Sequence, residues 1–397
     1  IGILNGYQGP EIKVGDKTLL NFCANNYLGL AGSEMIRRAA HDALDKYGYG
    51  TASVPFICGT MTVHKELEAE VSKFLGTEDT ILYTSCFDAN TGLFETILAE
   101  GDAVFSDELN HASIIDGIRL CKAERFRFKH ADIADLEGQL QIANSKGLRR
   151  KLIATDRVFS MDGDTVKLDE ICALAKKYNA LVMVDDSHAS GVLDNIPAGK
   201  VDIITSTFGK ALGGASGGFT SGRKEIIDWL RQRSRTSLFS NALAPVIAGT
   251  ALYTLRNFHP VSGRARAEGT GPSDRGTATT NGVDTPISER LEILRANTKY
   301  FREKMTALGF KMGPSTGSGQ AVPPHPINPV MLMDEKLSAL FASKLFDLGI
   351  YVRSFSYPVV PLGKARIRVQ LSAAHTRDHI TKTVLAFEKV GKELKVI

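Results

Sequence analysis

Short apolar runs alternate with longer amphipathic segments between about residues 80 and 235. The runs that predict buried strands are "TILYT" (80–84), "DAVFSD" (102–107), "KLIATD" (151–156), "ALVMVDD" (180–186) and "VDIITST" (201–207). Between the third and fourth runs, "LDEICALAKKYN" (168–179) places apolar residues at helical spacing. Because such alternation requires right-handed crossovers, it predicts an α/β fold with a mostly parallel sheet covered on both faces.

The rest of the chain is divided by changes in this pattern. Helical and strand-like stretches in the tail, among them "NPVMLMD" and "ARIRVQLSA", predict a smaller α+β domain. Two stretches rich in glycine and hydroxyl residues, 261–286 and 313–326, predict loops without chemistry, the first a disordered insertion. The predicted organisation is an N-terminal segment at 1–40, a large domain at 41–260, the insertion at 261–286 and a C-terminal small domain at 287–397.

Composition narrows the class of protein. The 397 residues carry a formal net charge of +4, which gives no indication of a nucleic-acid or anionic membrane partner. Apolar runs stay shorter than the roughly 18 residues that suggest a spanning helix. Five scattered cysteines without a CxxC pair indicate reduced thiols in an intracellular protein. Since the sequence begins with isoleucine, we expect a trimmed chain whose targeting segment, if any, has been removed.

Polar residues stand where the predicted strands end, namely Ser85, Asp107, Asp156, Asp185 and Thr207. In open parallel sheets, ligands bind beyond the carboxyl ends of the strands. These residues therefore predict a site at that edge of the sheet.

The stretches "VDDSHASG" (184–191) and "TFGKALGGASGGF" (207–219) suggest the chemistry of this site. An acid at the mouth of a buried strand, as at Asp185, is desolvated unless a cation meets it. The single lysine among five glycines, Lys210, can lose its proton in a crowded place and become a nucleophile. A lysine Schiff base together with an aspartate on a pyridinium nitrogen is the signature of pyridoxal phosphate, although a capping pair explains the acids equally well when they are taken alone.

Three weaker features agree with that cofactor. His111, just after a strand, offers a flat ring for stacking, although a lone histidine is more often a structural hydrogen bonder. The stretch "TSCFDANTGL" (84–93) opens a helix whose free N–H groups suit a phosphate, or form an ordinary helix cap. Ser206 and Thr207 are placed to direct hydroxyls at the same phosphate. The combination at strand ends is more specific than any single member.

Several longer motifs resemble the α-oxoamine synthases, fold type I pyridoxal-phosphate transferases that condense an amino acid with an acyl-CoA. The motifs are the two stretches above together with "NHASIIDGIRL", "FICGTMTVHKELE" and "LRQRSRTSLFSNALAP". The resemblance covers about residues 16–260 and 287–397. Stretches such as "SCFDANTGLFET", "RLCKAERFRF" and "ARIRVQLSAAHT" favour the member type that uses glycine and acetyl-CoA.

The resemblance implies roles for individual residues. Its catalytic set is Lys210, which would form the Schiff base, with Asp185 on the pyridinium nitrogen, His188 at the ring oxygen and His111 stacked on the ring. The other cofactor contacts it implies are Cys86, Phe87, Ser160, Ser187 and Thr207, with Ser240 and Asn241 reaching the cofactor phosphate of the neighbouring subunit of a homodimer. For the substrate, it implies that Arg368 pairs with the carboxylate, with help from Asn25 and His111.

The implied reaction converts glycine and acetyl-CoA into 2-amino-3-oxobutyrate and CoA, and its reverse belongs to threonine breakdown in the family. A sister synthase with another amino acid or acyl-CoA, and an inactive partner subunit, are the alternatives. Such inactive subunits lack the lysine, which is present here as Lys210. The implied location is the mitochondrial matrix for a eukaryotic chain and the cytoplasm for a bacterial one.

Two departures from the family pattern are visible. The segment "VLDNIPAGK" (192–200) is shorter than the corresponding loop and lacks its Gly-Arg-Gly element, which we expect to affect activity or dimer packing. The chain also begins after the position of the family's N-terminal helix, which takes part in subunit contact.

Overall fold

A seven-stranded sheet forms the centre of the protein in a computed structural model that describes residues 2–258, 285–314 and 324–397. Its strands are β4 (Asp79–Tyr83), β5 (Ala103–Asp107), β6 (Glu124–Phe128), β7 (Lys151–Asp156), β8 (Leu181–Asp185), β9 (Ile203–Thr207) and β10 (Gly218–Gly222). They run in the order β4-β10-β9-β8-β7-β5-β6, and only β10 is antiparallel to its neighbours. The predicted α/β fold with a mostly parallel sheet is confirmed.

All five predicted strands are present, whereas β6 and β10 are additional to the sequence prediction. β6, "ERFRF", is an edge strand in which partly exposed and exposed residues alternate before Phe128, so it lacks a continuous apolar run. β10 begins and ends in glycine and lies in the sheet between β4 and β9. Apolar runs therefore identify the buried centre of a sheet better than its edge or its glycine-bounded strands.

Helices cover both faces of this sheet. Those of the first 258 residues are α1 (Glu34–Tyr47), α2 (Thr62–Leu75), α3 (Cys86–Ile97), α4 (Ala112–Leu120), α5 (Ile133–Ser145), α6 (Leu168–Tyr178), α7 (Lys224–Arg233), α8 (Arg235–Leu238) and α9 (Pro245–Arg256), with a single π-helical turn at Pro55–Gly59. α3 begins directly after Ser85, whose hydroxyl accepts the backbone N–H of Asp88 at 3.0 Å. This cap fixes the start of α3 at the carboxyl end of β4.

A second unit is built mainly from the C-terminal part of the chain. It contains α10 (Ile287–Ala307), α11 (Glu335–Asp347) and α12 (Arg377–Glu393) beside a three-stranded sheet, β11-β14-β13, formed by Ile327–Met333, Ala365–Gln370 and Arg353–Phe355. The N-terminal strands β1 (Leu4–Asn5), β2 (Glu11–Val14) and β3 (Lys17–Asn21) join it, because β3 pairs in parallel with β12 (Ile350–Tyr351). An apolar cluster that includes Phe301, Phe341 and Phe387 fills this unit.

The domain boundaries stay predictions. The boundary placed at residue 40 falls within α1, which packs against α9 of the large domain. The insertion at 261–286 lies outside the described residues except for its last two positions, and so do residues 315–323 of the second predicted loop. The short 192–200 segment is described. Nδ2 of Asn195 donates to the backbone carbonyl of Phe74, and Nη2 of Arg157 donates to the carbonyl of Asp194 within the segment. No helix in the described part of the chain has the length and apolar content to cross a membrane.

Candidate active site

Two buried aspartates meet at the carboxyl ends of neighbouring strands. Asp156 ends β7 and Asp185 ends β8, and the two are paired directly across the sheet. One strand further, Thr207 ends β9. The expectation that polar strand ends would gather at one edge of the sheet is therefore met.

Asp185 is held by neutral donors. Its Oδ1 accepts the backbone N–H of Ser187 at 2.9 Å, and its Oδ2 accepts Nδ2 of Asn90 at 2.7 Å. The thiol of Cys86 lies 3.7 Å from Oδ2 and itself accepts the hydroxyl of Ser187 at 3.2 Å. Among the described residues, every hydrogen bond to this carboxylate comes from an uncharged group, so the carboxylate is suited to holding a cationic ring nitrogen.

Lys210 faces the same region from the glycine-rich loop after β9. Its ammonium makes no hydrogen bond within the described ranges. Burial lowers its pKa from the usual value, while the negative charges near it, chiefly Asp185, oppose that shift. An amine with a lowered pKa and no partner is suited to nucleophilic and general-base chemistry.

Glycine is required in this loop for steric reasons. Gly214 has φ +80°, and a Cβ there would lie 2.6 Å from the Cβ of Ala31. Gly217, with φ +95°, would bring a Cβ within 2.9 Å of Leu243. The glycines around Lys210 thus let the loop turn tightly and pack closely, which residues with a Cβ would prevent.

His188 lies in a buried hydrogen-bonded group. Its Nδ1 is 2.7 Å from the hydroxyl of Tyr27, and its backbone carbonyl accepts Nε2 of His325 at 2.8 Å. Burial lowers the pKa of His188 well below its usual range, and the nearby charge of Lys210 lowers it further. His188 is therefore a neutral imidazole. His325 belongs to the 313–326 stretch, so that predicted loop does support the site.

Arg368, on β14, has a guanidinium donor that can bind an anion. Its Nη1 donates to the backbone carbonyl of Ser160 at 2.9 Å, and its guanidinium carbon lies 4.7 Å from the ring centre of Phe355. Its Nε is buried without a hydrogen-bond partner in the described residues. Asn25 lies near Arg368. Its Oδ1 accepts Nε2 of Gln370 at 3.0 Å, and Gln370 is on the same face of β14 as Arg368. An unsatisfied guanidinium nitrogen is the group that a substrate carboxylate would satisfy.

The predicted phosphate site lies at the start of α3. Cys86 and Phe87 are its first residues, and their backbone N–H groups have no acceptor within the helix. The hydroxyl of Thr207 donates to the carbonyl of Gly217 at 3.1 Å and accepts the N–H of Gly209 at 2.9 Å. Ser206 is fully buried and donates to Ser190 at 2.9 Å, so the expectation that its hydroxyl would face the phosphate is wrong. Successive strand residues point to opposite faces, which explains the difference.

His111 caps α4 and keeps an accessible ring. Its backbone N–H donates to Oδ2 of Asp156 at 2.7 Å, and its Nδ1 lies 2.7 Å from the hydroxyl of Ser113. Partial desolvation lowers the pKa of His111, although the charge of Asp185 opposes this effect. The ring is held by its backbone and by Ser113, and it is free to stack on a flat ligand.

The two residues predicted to reach a neighbouring subunit are Ser240 and Asn241. They follow α8 in a short segment where Asn241 and Phe239 are exposed. Asn241 lines a cavity of about 280 Å³ together with Phe56, Tyr83 and Thr84. Neither residue makes a side-chain hydrogen bond to the groups described above, within the residues that the structure describes.

Sequence reasoning missed several supporting residues, chiefly Asn90, Tyr27, Gln370, His325 and Ser113. Asn90 lies one helical turn after Cys86, and Tyr27 stands in the same "NNYLGL" stretch as Asn25. Those positions were the only signals available. Among the described residues, no group of three or more histidine, cysteine or acidic side chains is arranged to hold a metal ion.

Comparison with known proteins agrees with this geometry. The chain is 50% identical over 405 residues to the 2-amino-3-ketobutyrate coenzyme A ligase of Escherichia coli K12, covering 100% of this chain and 93% of that protein. It is 47% identical to the human mitochondrial 2-amino-3-ketobutyrate coenzyme A ligase, covering 98% and 87%. A solved serine palmitoyltransferase (SPT) with a PLP internal aldimine superposes with a TM-score of 0.85 at 27% identity, covering 100% and 94%.

The family match extends over most of the chain. The profile of the family described as aminotransferase class I and II matches residues 17–258 and 276–387. This protein belongs to the aminotransferase class I and II family.

Proposed function

We propose that this protein is a pyridoxal-phosphate-dependent acyltransferase that condenses glycine with acetyl-CoA to 2-amino-3-oxobutyrate and CoA, a reversible reaction that also serves threonine breakdown. The observation that carries the proposal is the amine of Lys210, which has no hydrogen-bond partner among the described residues and whose charge interacts with the buried carboxylate of Asp185. The relatives from Escherichia coli and human support the choice of substrates, because both are named 2-amino-3-ketobutyrate coenzyme A ligases.

The residues present fit the cofactor. Within the described part of the chain, the hydrogen bonds to Asp185 come from neutral donors, so this carboxylate is available for a cationic ring nitrogen. Neutral His188 and the hydroxyl of Ser160 suit the ring oxygen, and Ser187 supports Asp185 through its backbone N–H. The N–H groups of Cys86 and Phe87 suit the phosphate at the positive end of α3. Thr207 lies next to them, and His111 offers a ring face.

When bound, pyridoxal phosphate supplies an aldehyde carbon that condenses with amines and an electron-poor ring that accepts the electron pair of a broken C–H bond. Asp185 holds the proton on the ring nitrogen. Arg368 binds the glycine carboxylate through its guanidinium, and Asn25 limits how that carboxylate turns. The amine of Lys210 would hold the cofactor before glycine enters and would afterwards take the proton from the glycine α-carbon.

We also propose that the enzyme is a homodimer with shared sites. Asn241 is exposed and lines the same cavity as the exposed Phe56, and the neighbours in sequence Ile57 and Phe239 are exposed apolar side chains as well. A partner subunit that covers this surface would bring its own Ser240 and Asn241 to the phosphate. Following the named location of the human relative, we propose the mitochondrial matrix for a eukaryotic chain and the cytoplasm for a bacterial one.

CoA-thiol release by the purified protein with pyridoxal phosphate, glycine and acetyl-CoA tests the function. Alanine, serine and longer acyl-CoA thioesters, palmitoyl-CoA among them, form the comparison panel. The proposal expects the highest kcat/KM for glycine with acetyl-CoA, and loss of activity in Lys210→Ala but not in the surface variant Lys224→Ala. A preference for another pair identifies a sister synthase instead. Cofactor binding without activity toward any pair points to an inactive subunit.

A further inference from the structure

Tyr27 and His188 are both buried and form a short hydrogen bond. The phenol of Tyr27 is fully buried, and its oxygen lies 2.7 Å from Nδ1 of His188. The two rings are tilted, with centroids 6.1 Å apart. A neutral imidazole has one donor and one acceptor nitrogen, so the direction of this bond decides which nitrogen carries the proton.

The direction follows from where the phenolic proton of Tyr27 can go. Its other neighbouring acceptor, Oδ1 of Asn25, is 3.5 Å away and already accepts Nε2 of Gln370 at 3.0 Å. A contact of 3.5 Å is at the outer limit of a hydrogen bond, whereas 2.7 Å is ideal for an O–H donor. Tyr27 therefore donates to His188, which leaves Nδ1 as acceptor and places the imidazole proton on Nε2.

The Nε2 atom is open to the cleft. Among the described residues it has no hydrogen-bond partner, and it is not one of the solvent-excluded polar atoms that lack one. The backbone of His188 is fixed independently, because Nε2 of His325 donates to its carbonyl and Nδ1 of His325 accepts the N–H of Ile327 at 3.1 Å. His188 is thus held through its Nδ1 and through its backbone carbonyl, while Nε2 has no partner among the described residues and can meet a ligand.

The charged and titratable groups around His188 disfavour protonation of its second ring nitrogen. Burial lowers its pKa first, and cationic or protonatable neighbours add to the effect. Those neighbours, from four different parts of the chain, are Lys210, His325, Arg368 and His111, and the phenol of Tyr27 faces Nδ1. His188 therefore keeps a single proton across the neutral range, and its position is set by Tyr27.

We propose that Tyr27 is a positioning residue that holds His188 as the Nε2–H tautomer, so that the cleft presents a neutral donor to the ionised ring oxygen of the cofactor. This inference rests on the proposed function, which places that oxygen beside His188. A donor at Nε2 stabilises the ionised oxygen, whereas the other tautomer would present a lone pair to it. Tyr27 also contacts Asn25, so one hydroxyl touches residues assigned to the cofactor and to the substrate.

The tautomer can be measured directly in the wild-type holoenzyme. Histidine-selective ¹⁵N labelling and two-bond ¹H–¹⁵N correlation spectra distinguish protonated from unprotonated ring nitrogens, and the signals missing from His188→Gln identify His188. The inference expects an unprotonated Nδ1 and a protonated Nε2. The opposite tautomer would overturn it. Because this measurement needs no change at position 27, it remains decisive if Tyr27→Phe does not fold.

The Tyr27→Phe variant supplies the second readout. Without the hydrogen bond from Tyr27 to Nδ1, both tautomers of His188 should appear in the spectrum. The ionised ring oxygen of the cofactor would then be less well stabilised, so the pH midpoint of the bound cofactor's visible absorbance should rise by about 0.5–1 unit. Tyr178→Phe is the matched control, because the hydroxyl of Tyr178, at the end of α6, donates to Glu137 of α5 at 2.9 Å. This change should leave both readouts unchanged. An unaltered tautomer and midpoint in Tyr27→Phe would contradict the inference. Failure of the wild type to bind pyridoxal phosphate contradicts the proposed function instead, and the spectra still report the tautomer.

Discussion

Asp156 and Asp185 lie directly opposite each other at the carboxyl ends of β7 and β8, and both carboxyls are buried. Burial raises the pKa of Asp156 well above its usual range, and the negative charge of Asp185 raises it further. The N–H of His111, which donates to Asp156, opposes the shift. Protonation of Asp156 therefore relieves the repulsion between the two strand ends.

We expect Asp156→Asn to reduce the loss of stability with rising pH. The folded protein keeps a proton on Asp156 that the unfolded chain loses above its ordinary pKa of 3.8, so the free energy of unfolding falls as pH rises from there toward the raised folded pKa. Asparagine is neutral throughout and retains an acceptor for the N–H of His111. Melting temperatures measured between about pH 4 and 8 should increasingly favour the variant over the wild type.

Asp116→Asn is the control for this experiment, because Asp116 is an aspartate on the accessible side of α4 that pairs with Arg119. Its melting temperature should run parallel to that of the wild type at every pH. Parallel curves for Asp156→Asn would show that Asp156 titrates in the same way in the folded and unfolded states.

Arg368→Lys is expected to weaken glycine binding selectively. Lysine keeps the charge but loses the planar pair of donors, one of which is the buried Nε that has no partner in the described ranges. Charged hydrogen bonds contribute about 1.5–3 kcal/mol, so KM for glycine should rise about 10- to 100-fold. Initial rates with each substrate varied should show little change in KM for acetyl-CoA. An equal rise in both constants would assign Arg368 to the general shape of the cleft rather than to the carboxylate.

The sequence predicted those parts of the fold whose signal is local. β7 was placed correctly to the residue, and β8 to within one residue at each end, because each is a continuous apolar run that ends in an acid. β6 was missed because charged residues alternate along an edge strand. The pairing of β3 with β12 joins residues about 330 positions apart, which no local pattern records.

The candidate site shows the same difference between residues with a local sequence signal and residues that matter through long-range contacts. Asp185 and Lys210 were predicted because their residue types are unusual where they stand. Asn90 and Tyr27 were missed, since their importance lies in contacts with residues 95 and 161 positions away. The error at Ser206 had another cause, namely that adjacent strand residues face opposite sides of the sheet.

Gly214→Ala is expected to destabilise the loop that carries Lys210. The methyl group would lie 2.6 Å from the Cβ of Ala31, and the backbone has φ +80°, so the variant should lose about 1–3 kcal/mol of unfolding free energy. Urea unfolding measures the loss. Gly138→Ala, inside α5 with open space at the added methyl, is the control and should gain about 0.5–1 kcal/mol. Equal stability of Gly214→Ala and wild type would show that the loop can shift away from Ala31.

Mixed dimers should test whether two chains share each site. Lys210→Ala lacks the amine, and Ser240→Asp adds a negative charge that repels the phosphate expected near that position. Each variant alone should be nearly inactive. If Ser240 acts in the partner's site, a mixed dimer combines Lys210 of one chain with Ser240 of the other and contains one intact site. After the two variants are unfolded and refolded together at equal amounts, activity should reach about a quarter of the wild-type value, because half of randomly formed dimers are mixed and each of these has one of its two sites intact.

Activity that stays at the level of the separate variants would place Ser240 and Lys210 in the same chain's site. Refolded wild type, and each variant refolded alone, provide the reference values.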